Sequence, residues 1–247
     1  MNLLPSFPLP DLSDEIGGPD IALRVGQVLK FFCQESGQTG KPTTPLPDAC
    51  SVDKSWTHWH ALTWFARRFH PRSYLEISTD LGISTAMVAL NSPETTLVTF
   101  ELGREQNLGW PPFHPARVAQ ALFRCGFRQP LTAVWGDSRW SVPRYFSRSK
   151  IRSLRSGPTL IKDFDLIFVD GSRGLNGIYR DLKNVLQRCA RGGLVVFRGL
   201  DQHEPRLPGQ YCPRLHGFWE RLALRFPGFR FWKAPSGIEV GLALRSY

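Results

Sequence analysis

YLEISTDLGISTAMVAL, residues Tyr74 to Leu90, is the stretch on which the fold turns. A short apolar run (Tyr74, Leu75, Ile77) follows Pro71, which stops the preceding helix, and reads as a strand with an acid, Glu76, near its end. A loop with Gly82 comes next, where the missing Cβ lets backbone N–H groups approach a ligand closely. Ser84 and Thr85 then open an amphipathic run, the residue types that satisfy the exposed N–H groups at a helix start. Strand, binding turn and helix are expected in that order.

On the N-terminal side, Trp56, Trp59, Leu62, Phe65 and Phe69 recur at steps of three and four between Val52 and Phe69, the mark of one buried helix face. His58 and His60 flank that stripe; two residues apart they cannot share a helix face, so they are read as packing or surface groups and not as a metal pair. On the C-terminal side, β-rich Thr96 to Phe100 ends in Glu101, and a helix is expected over His114 to Gly126, with Pro115 in its first turn and Gly126 as its stop. Leu131 to Trp135 is a third strand, followed by Gly136, Asp137 and Ser138. Phe164 to Asp170 (FDLIFVD) is a fourth, a helix follows over Ile178 to Ala190, and Gly192 and Gly193 precede a fifth strand, Leu194 to Phe197. Strands this apolar, alternating with helices, imply a parallel sheet covered on both faces, with ligands bound outside the strands' carboxyl ends. Glu76, Glu101, Asp137 and Asp170 collect there. After a helix over Phe218 to Phe226, the runs Phe229 to Lys233 and Ile238 to Leu244 are separated only by Ala-Pro-Ser-Gly, too short for a parallel crossover, so they must be antiparallel neighbours.

Composition bounds the rest. At 247 residues and 42% hydrophobic, the chain fits one large α/β domain over residues 51–247, preceded by an arm over residues 1–50 with one helical patch, Ile21 to Cys33. No apolar run approaches the roughly 18 residues of a membrane span. The first ten residues hold three prolines and no Lys or Arg precedes Arg24, unlike a secretory signal, so a cytoplasmic protein is expected. Five scattered cysteines form no close pair and fit reduced thiols better than disulfides or a zinc site. The net charge of +10 raises nucleic acid or an anionic substrate as partners. Part of it is local: seven basic residues and no acid lie between Ser138 and Lys162, a run expected to be a solvated, mobile loop.

LEISTDLGIST resembles motif I of the class I S-adenosylmethionine-dependent methyltransferases, in particular the small-molecule O-methyltransferases whose motif reads roughly LEIGTxxGxST. VTFELG and WGDS resemble the acidic ends of their second and third strands, FDLIFVDGSRGLNGIYRDL their fourth strand and next helix, RGGLVVF their fifth strand, and the terminal hairpin their sixth and seventh. The resemblance spans about Arg72 to Arg245. It implies a seven-stranded Rossmann-like sheet, mostly parallel, with an antiparallel C-terminal hairpin and helices on both faces. It also implies an enzyme holding S-adenosylmethionine (product S-adenosylhomocysteine) at Glu76, Ser78, Thr79, Asp80, Gly82, Ser84, Thr85, Glu101, Leu102, Gly136, Asp137, Ser138, Asp170 and Gly171. In that reading Glu101 accepts from the ribose hydroxyls, Asp137 from the adenine amino group, and Glu76 faces the methionine amino end, directly or through water.

The chain departs from the pattern at several positions. Ser78 and Asp80 stand where glycine or another small residue is usual, and Arg173 where a His is common. Arg198 and Gly199 replace the acid and the Asp or Asn found in the metal-dependent branch resembling catechol O-methyltransferase, which leaves only Asp170 of the usual ligands; no metal is expected. Methyl transfer is an in-line displacement, so the protein mainly aligns the reactants and removes a proton where one must leave. Asp170, Asp201 and His203 are the candidate bases, and Trp110, Phe113 and Tyr211 candidate walls for a small acceptor such as a sugar or a natural product. Two competing readings are a methyltransferase-like scaffold without catalysis, motivated by Ser78 and Arg198, and an RNA methyltransferase, motivated by the charge but lacking an appended RNA-binding module. A dehydrogenase is disfavoured, since GxGxxG is absent.

Overall fold

Every residue of the strand Ser73–Ile77 (β1) is buried, as only a strand covered on both faces can be. The structure, a computed structural model, describes residues 18–35, 57–102, 115–153, 161–171, 175–198, 221–233 and 240–246. The remaining elements, in chain order around β1, are helices α1 (Pro19–Glu35) and α2 (His58–Phe69) before it and α3 (Ile83–Ala89) after it. Then come β2 (Thr96–Glu101), α4 (Pro115–Arg124), β3 (Leu131–Trp135), α5 (Ser138–Ser153), β4 (Phe164–Val169), α6 (Leu175–Leu186), β5 (Cys189–Arg198), β6 (Phe229–Lys233) and β7 (Val240–Arg245). They form one sheet in the order β3-β2-β1-β4-β5-β7-β6. Pairings from β3 through β5 are parallel; β7 runs antiparallel to both β5 and β6. This is the expected seven-stranded sheet with its reversed terminal hairpin.

The period-two alternation sorts the strand residues into two cores. Tyr74, Leu97, Leu166, Phe168, Leu194, Val196 and Leu242 face a layer made by α1 to α4. Leu75, Ile77, Val98, Phe100, Ile167, Val169, Val195 and Phe197 face α5, α6 and the helical residues 221–225. Growth of the sheet reverses between adjacent β1 and β4, and a crevice opens at such a switch point beyond the carboxyl ends of the strands.

Local chemistry explains the helix ends. At the start of α2 the Thr57 N–H donates to His60 Nδ1 (3.0 Å), so His60 caps its own helix; burial holds its pKa below the usual value. His58 lies in the core, stacked on Phe168 at 5.2 Å between centroids. Both histidines therefore have packing and capping roles. α2 ends at His70 in the left-handed region, ahead of Pro71. Helix α1 is fixed by four buried residues, Ile21, Val25, Val28 and Leu29, and by Arg24, which donates to Asn91 Oδ1 and the Leu90 carbonyl at the end of α3.

Two expectations are corrected. The basic run after Ser138 is not a loop at its start: residues 138–153 form α5. Asp137 caps it, accepting from Arg139 N at 2.9 Å, and Val142 and Phe146, one turn apart, bury against the second core and carry the helix past Pro143. The other correction is at the α6–β5 junction. The helix stops at Leu186, and β5 begins at Cys189 with a bulge: Phe164 pairs with Cys189, yet Leu166 pairs with Leu194. A Cβ on Gly193 would lie 2.8 Å from the Ala190 carbonyl oxygen, so the glycine expected ahead of the strand instead lies within it and lets the bulge fold on itself.

Candidate functional site

The turn that joins β1 to α3 is wound in an unusual way. Ser78, Asp80 and Gly82 all have positive φ, at 68°, 47° and 79°. The Ser78 N–H still donates to the Phe100 carbonyl, and the Gly82 N–H to the Thr79 carbonyl. A left-handed residue with a side chain costs roughly 1–2 kcal/mol, least for Asp and Asn, so Ser78 and Asp80 hold by force a backbone that glycine would adopt freely. Gly82 itself is required twice: its φ is positive, and an added Cβ would stand 2.8 Å from both methyls of Val118 on α4. Strain of this kind persists where surrounding structure over-determines it, and it concentrates at binding sites.

Glu101, at the end of β2, supplies much of that determination. Its Oε2 accepts from Asp80 N at 2.8 Å and its Oε1 from Leu102 N at 3.0 Å. Partial burial raises its pKa, with the amide hydrogen bonds acting in the opposite sense. A carboxylate has about four acceptor sites, so two hydroxyls can still be held here.

Glu76 faces the other way. It is fully buried on the Tyr74 side of β1, and its Oε2 accepts from the Thr85 hydroxyl. Burial pushes its pKa well above the usual carboxylate range; the Thr85 hydrogen bond opposes this, and the charges of Glu101 and Asp170 add to it. In this arrangement the Glu76 side chain is enclosed by the protein. Its connection is to α3, through Thr85, which is also fully buried. Close by, the Thr79 hydroxyl in the turn and the Thr99 hydroxyl in β2 are buried without a hydrogen bond among the described residues, and the buried Tyr74 hydroxyl interacts with Glu76.

The ends of β3 and β4 complete the crevice. Gly136 N donates to the Glu101 carbonyl at 2.9 Å and Asp170 N to the Ile77 carbonyl at 3.1 Å, which aligns the two strand ends beside the turn. Asp137 is clamped by the Arg139 guanidinium, whose hydrogen bonds lower its pKa. Asp170 is ion-paired with Arg198 Nη1 at 2.8 Å, the carboxylate more buried than the guanidinium. Ser138 Oγ donates to Asp181 Oδ1 at 2.5 Å, and Gly171 packs so closely on Asp181 that a Cβ would stand 2.6 Å from Oδ2.

Ser78, Thr79, Asp80, Gly82, Ser84, Thr85, Glu101 and Leu102 thus surround one turn, with Gly136, Asp137, Ser138, Asp170 and Gly171 at the neighbouring strand ends. Asp201 and His203, and with them Trp110, Phe113, Arg173, Gly199 and Tyr211, lie outside the described residues. Among the described residues no group of three or more His, Cys, Asp or Glu stands ready for a metal ion. Sequence reasoning missed Asp181 and the pairing of Arg198 with Asp170. Asp181 had left a signal: it interrupts the apolar stripe Ile178, Leu182, Val185 at helical spacing, and an acid inside a buried stripe needs a partner.

No family model matches the chain, and no curated protein matches it. Solved structures do. A methyltransferase from Podospora anserina, SAH-bound, aligns over 98% of each chain at 14% identity with a TM-score of 0.58. An O-methyltransferase from Bacillus cereus in complex with SAH aligns over 90% of this chain and 91% of its own, at 16% identity and 0.53. The O-methyltransferase TomG from Streptomyces achromogenes, in complex with SAM and involved in tomaymycin synthesis, aligns over 92% and 90% at 20% identity and 0.52. Identities this low establish a shared fold.

Proposed function

We propose, starting from a chain that has the class I methyltransferase fold, that it binds S-adenosylmethionine and transfers the methyl group to an oxygen of a small acceptor. The observation that carries this reading is the strained turn over residues 78–82, held by Glu101 at the switch point of the sheet. Ser78 and Asp80 keep the glycine-type backbone although neither is glycine, which weakens one of the two motives for a scaffold without catalysis. The Bacillus and Streptomyces structures, described as O-methyltransferases with SAH or SAM bound, support the same cofactor and reaction class.

The residues fit that cofactor. Glu101 keeps acceptor sites for ribose hydroxyls, and Gly82, with positive φ and its Cβ position closed by Val118, lets the turn keep the backbone that presents that carboxylate. Asp137, whose two oxygens accept from Arg139, would receive the adenine amino group at the β3 end once that exposed guanidinium gives way. We assign Glu76 to positioning: through Thr85 it sets the start of α3 and hence the curvature of the turn. When bound, the cofactor supplies an electrophilic sulfonium methyl.

The acceptor side belongs to Asp170 and Arg198. Their ion pair fixes a guanidinium at the β5 end, where it can hold an acceptor oxygen and stabilise negative charge on it. A proton that must leave would go to Asp170, or to Asp201 or His203, which follow β5 in the chain. Since Arg198 already neutralises Asp170, we propose transfer without a metal. The acceptor class proposed is a small metabolite, a sugar or a natural product.

Titration calorimetry with S-adenosylmethionine and S-adenosylhomocysteine tests the cofactor. Absence of binding at millimolar ligand overturns the enzyme reading and returns the scaffold. In a methyl-transfer assay, activity is expected to survive EDTA; loss of activity restored by magnesium overturns the metal-free step.

A further inference from the structure

Among the described residues, the helices of the second layer expose charges of one sign. Arg139 and Arg144 on α5, Arg180 and Lys183 on α6, and Arg221 and Arg225 on the 221–225 helix are all exposed. Among the described residues of these three helices the single acid is Asp181, which is completely buried, and the neighbouring Asp137 is clamped by Arg139. The three segments are joined side by side. Ser138 bonds Asp181, the Arg180 guanidinium lies 5.8 Å from the Trp140 ring centroid, and Arg225 donates to the Tyr179 hydroxyl at 3.1 Å. Cations gathered with few counter-charges repel one another, and a polyanion laid across them releases that repulsion together with its own counterions.

The aromatic group on this face decides which polyanion. Trp140 is 68% exposed even with the Arg180 guanidinium over its ring, which leaves indole surface of the kind on which an unpaired base stacks. A membrane fits less well. Its interfacial helices need a continuous apolar band, whereas here Trp140 and Leu224 lie on different helices and α6, which touches both, shows Arg180 and Lys183 outward. We propose that the α5–α6–221–225 face is a docking surface for single-stranded nucleic acid. It is independent of the methyl-transfer reading, because binding here needs no cofactor.

The test is fluorescence anisotropy of the full chain with a fluorescein-labelled oligouridylate of about 20 nucleotides, at low and at physiological salt. Wild type is expected to bind with micromolar affinity at low salt, and log Kd to change with log salt by about 3 to 4, corresponding to some five phosphate contacts. The quadruple variant Arg144→Glu, Arg180→Glu, Lys183→Glu, Arg221→Glu is expected to lose about 100-fold or more. A control of equal charge on the opposite layer, Arg67→Glu, Arg117→Glu, Arg124→Glu, Arg128→Glu, should lose less than about fivefold. Trp140→Ala should lose about tenfold with charge unchanged. Circular dichroism checks both quadruples, and single Arg144→Glu and Arg180→Glu variants, each expected to lose about threefold to fivefold, replace one that misfolds. Equal losses in the two quadruples, no effect of Trp140→Ala, or binding of phosphatidylserine vesicles in place of RNA each overturn the proposal.

Discussion

Replacing Gly82 by alanine separates two physical costs that meet at one atom. The first is conformational: φ at 79° costs an L residue roughly 1–2 kcal/mol, of which about 0.4–1 kcal/mol is recovered because alanine restricts the unfolded chain. The second is steric. The new Cβ would stand 2.8 Å from Val118 Cγ1 and Cγ2, where ordinary contact begins at 3.4 Å, so buried Val118 or the turn must move by a few tenths of an ångström. Overpacking of that kind costs about 1–3 kcal/mol, bringing the expected total to about 2–4 kcal/mol. Val118→Ala alone should cost about 2 kcal/mol through the cavity it leaves. In the double variant the cavity receives the new methyl, and the combined loss should fall short of the sum by about 1–2 kcal/mol. Urea denaturation of the four proteins measures the cycle. Calorimetry with S-adenosylhomocysteine on the folded variants then reports whether the turn still binds. Additivity within about 0.5 kcal/mol would refute the steric half of the reasoning and leave only the backbone cost.

Glu76 and Arg198 offer two more tests. Burial lifts the Glu76 acid above its unfolded value, so its contribution is full below about pH 4.3 and is lost as pH rises through the folded pKa. Glu76→Gln, permanently neutral and still an acceptor for Thr85, is expected to match wild type near about pH 4 and to exceed it near about pH 8 in urea midpoint; a gap of constant size across pH contradicts the assignment. Arg198→Met leaves the Asp170 carboxylate, 15% exposed, without the cation that faces it and should cost about 1–2 kcal/mol after solvent screening, with Asp170→Asn restoring most of the loss in the double variant. Thermal denaturation with no recovery in the double would show that the pair is not the cause.

What could be read along the chain depended on how strongly one environment dominates a segment. β1, β2 and β4 are covered on both faces, so their residues are apolar with little regard to neighbours, and their positions were plain. Helix α5 was hidden because its buried stripe rests on Val142 and Phe146 alone, diluted by arginine, serine and Pro143. The start of β5 was hidden by its glycines, which signal a linker in isolation and a close-packed bulge in context. At the site, the residue types around the turn were legible and their orientation was not. Glu76 shares its strand face with Tyr74, and that face turned out to be the core.

The succession of strands along the chain, the reversed hairpin and the acids at the strand ends follow from sequence alone, because periodicity and connection length are local quantities. The tertiary structure alone decided which acid faces the crevice, that Arg198 neutralises Asp170, and that Asp181 ties α6 to the start of α5. It also brought basic residues from three distant segments onto one surface. Each depends on distances between residues far apart in the chain, and charge, burial and hydrogen bonding act through those distances.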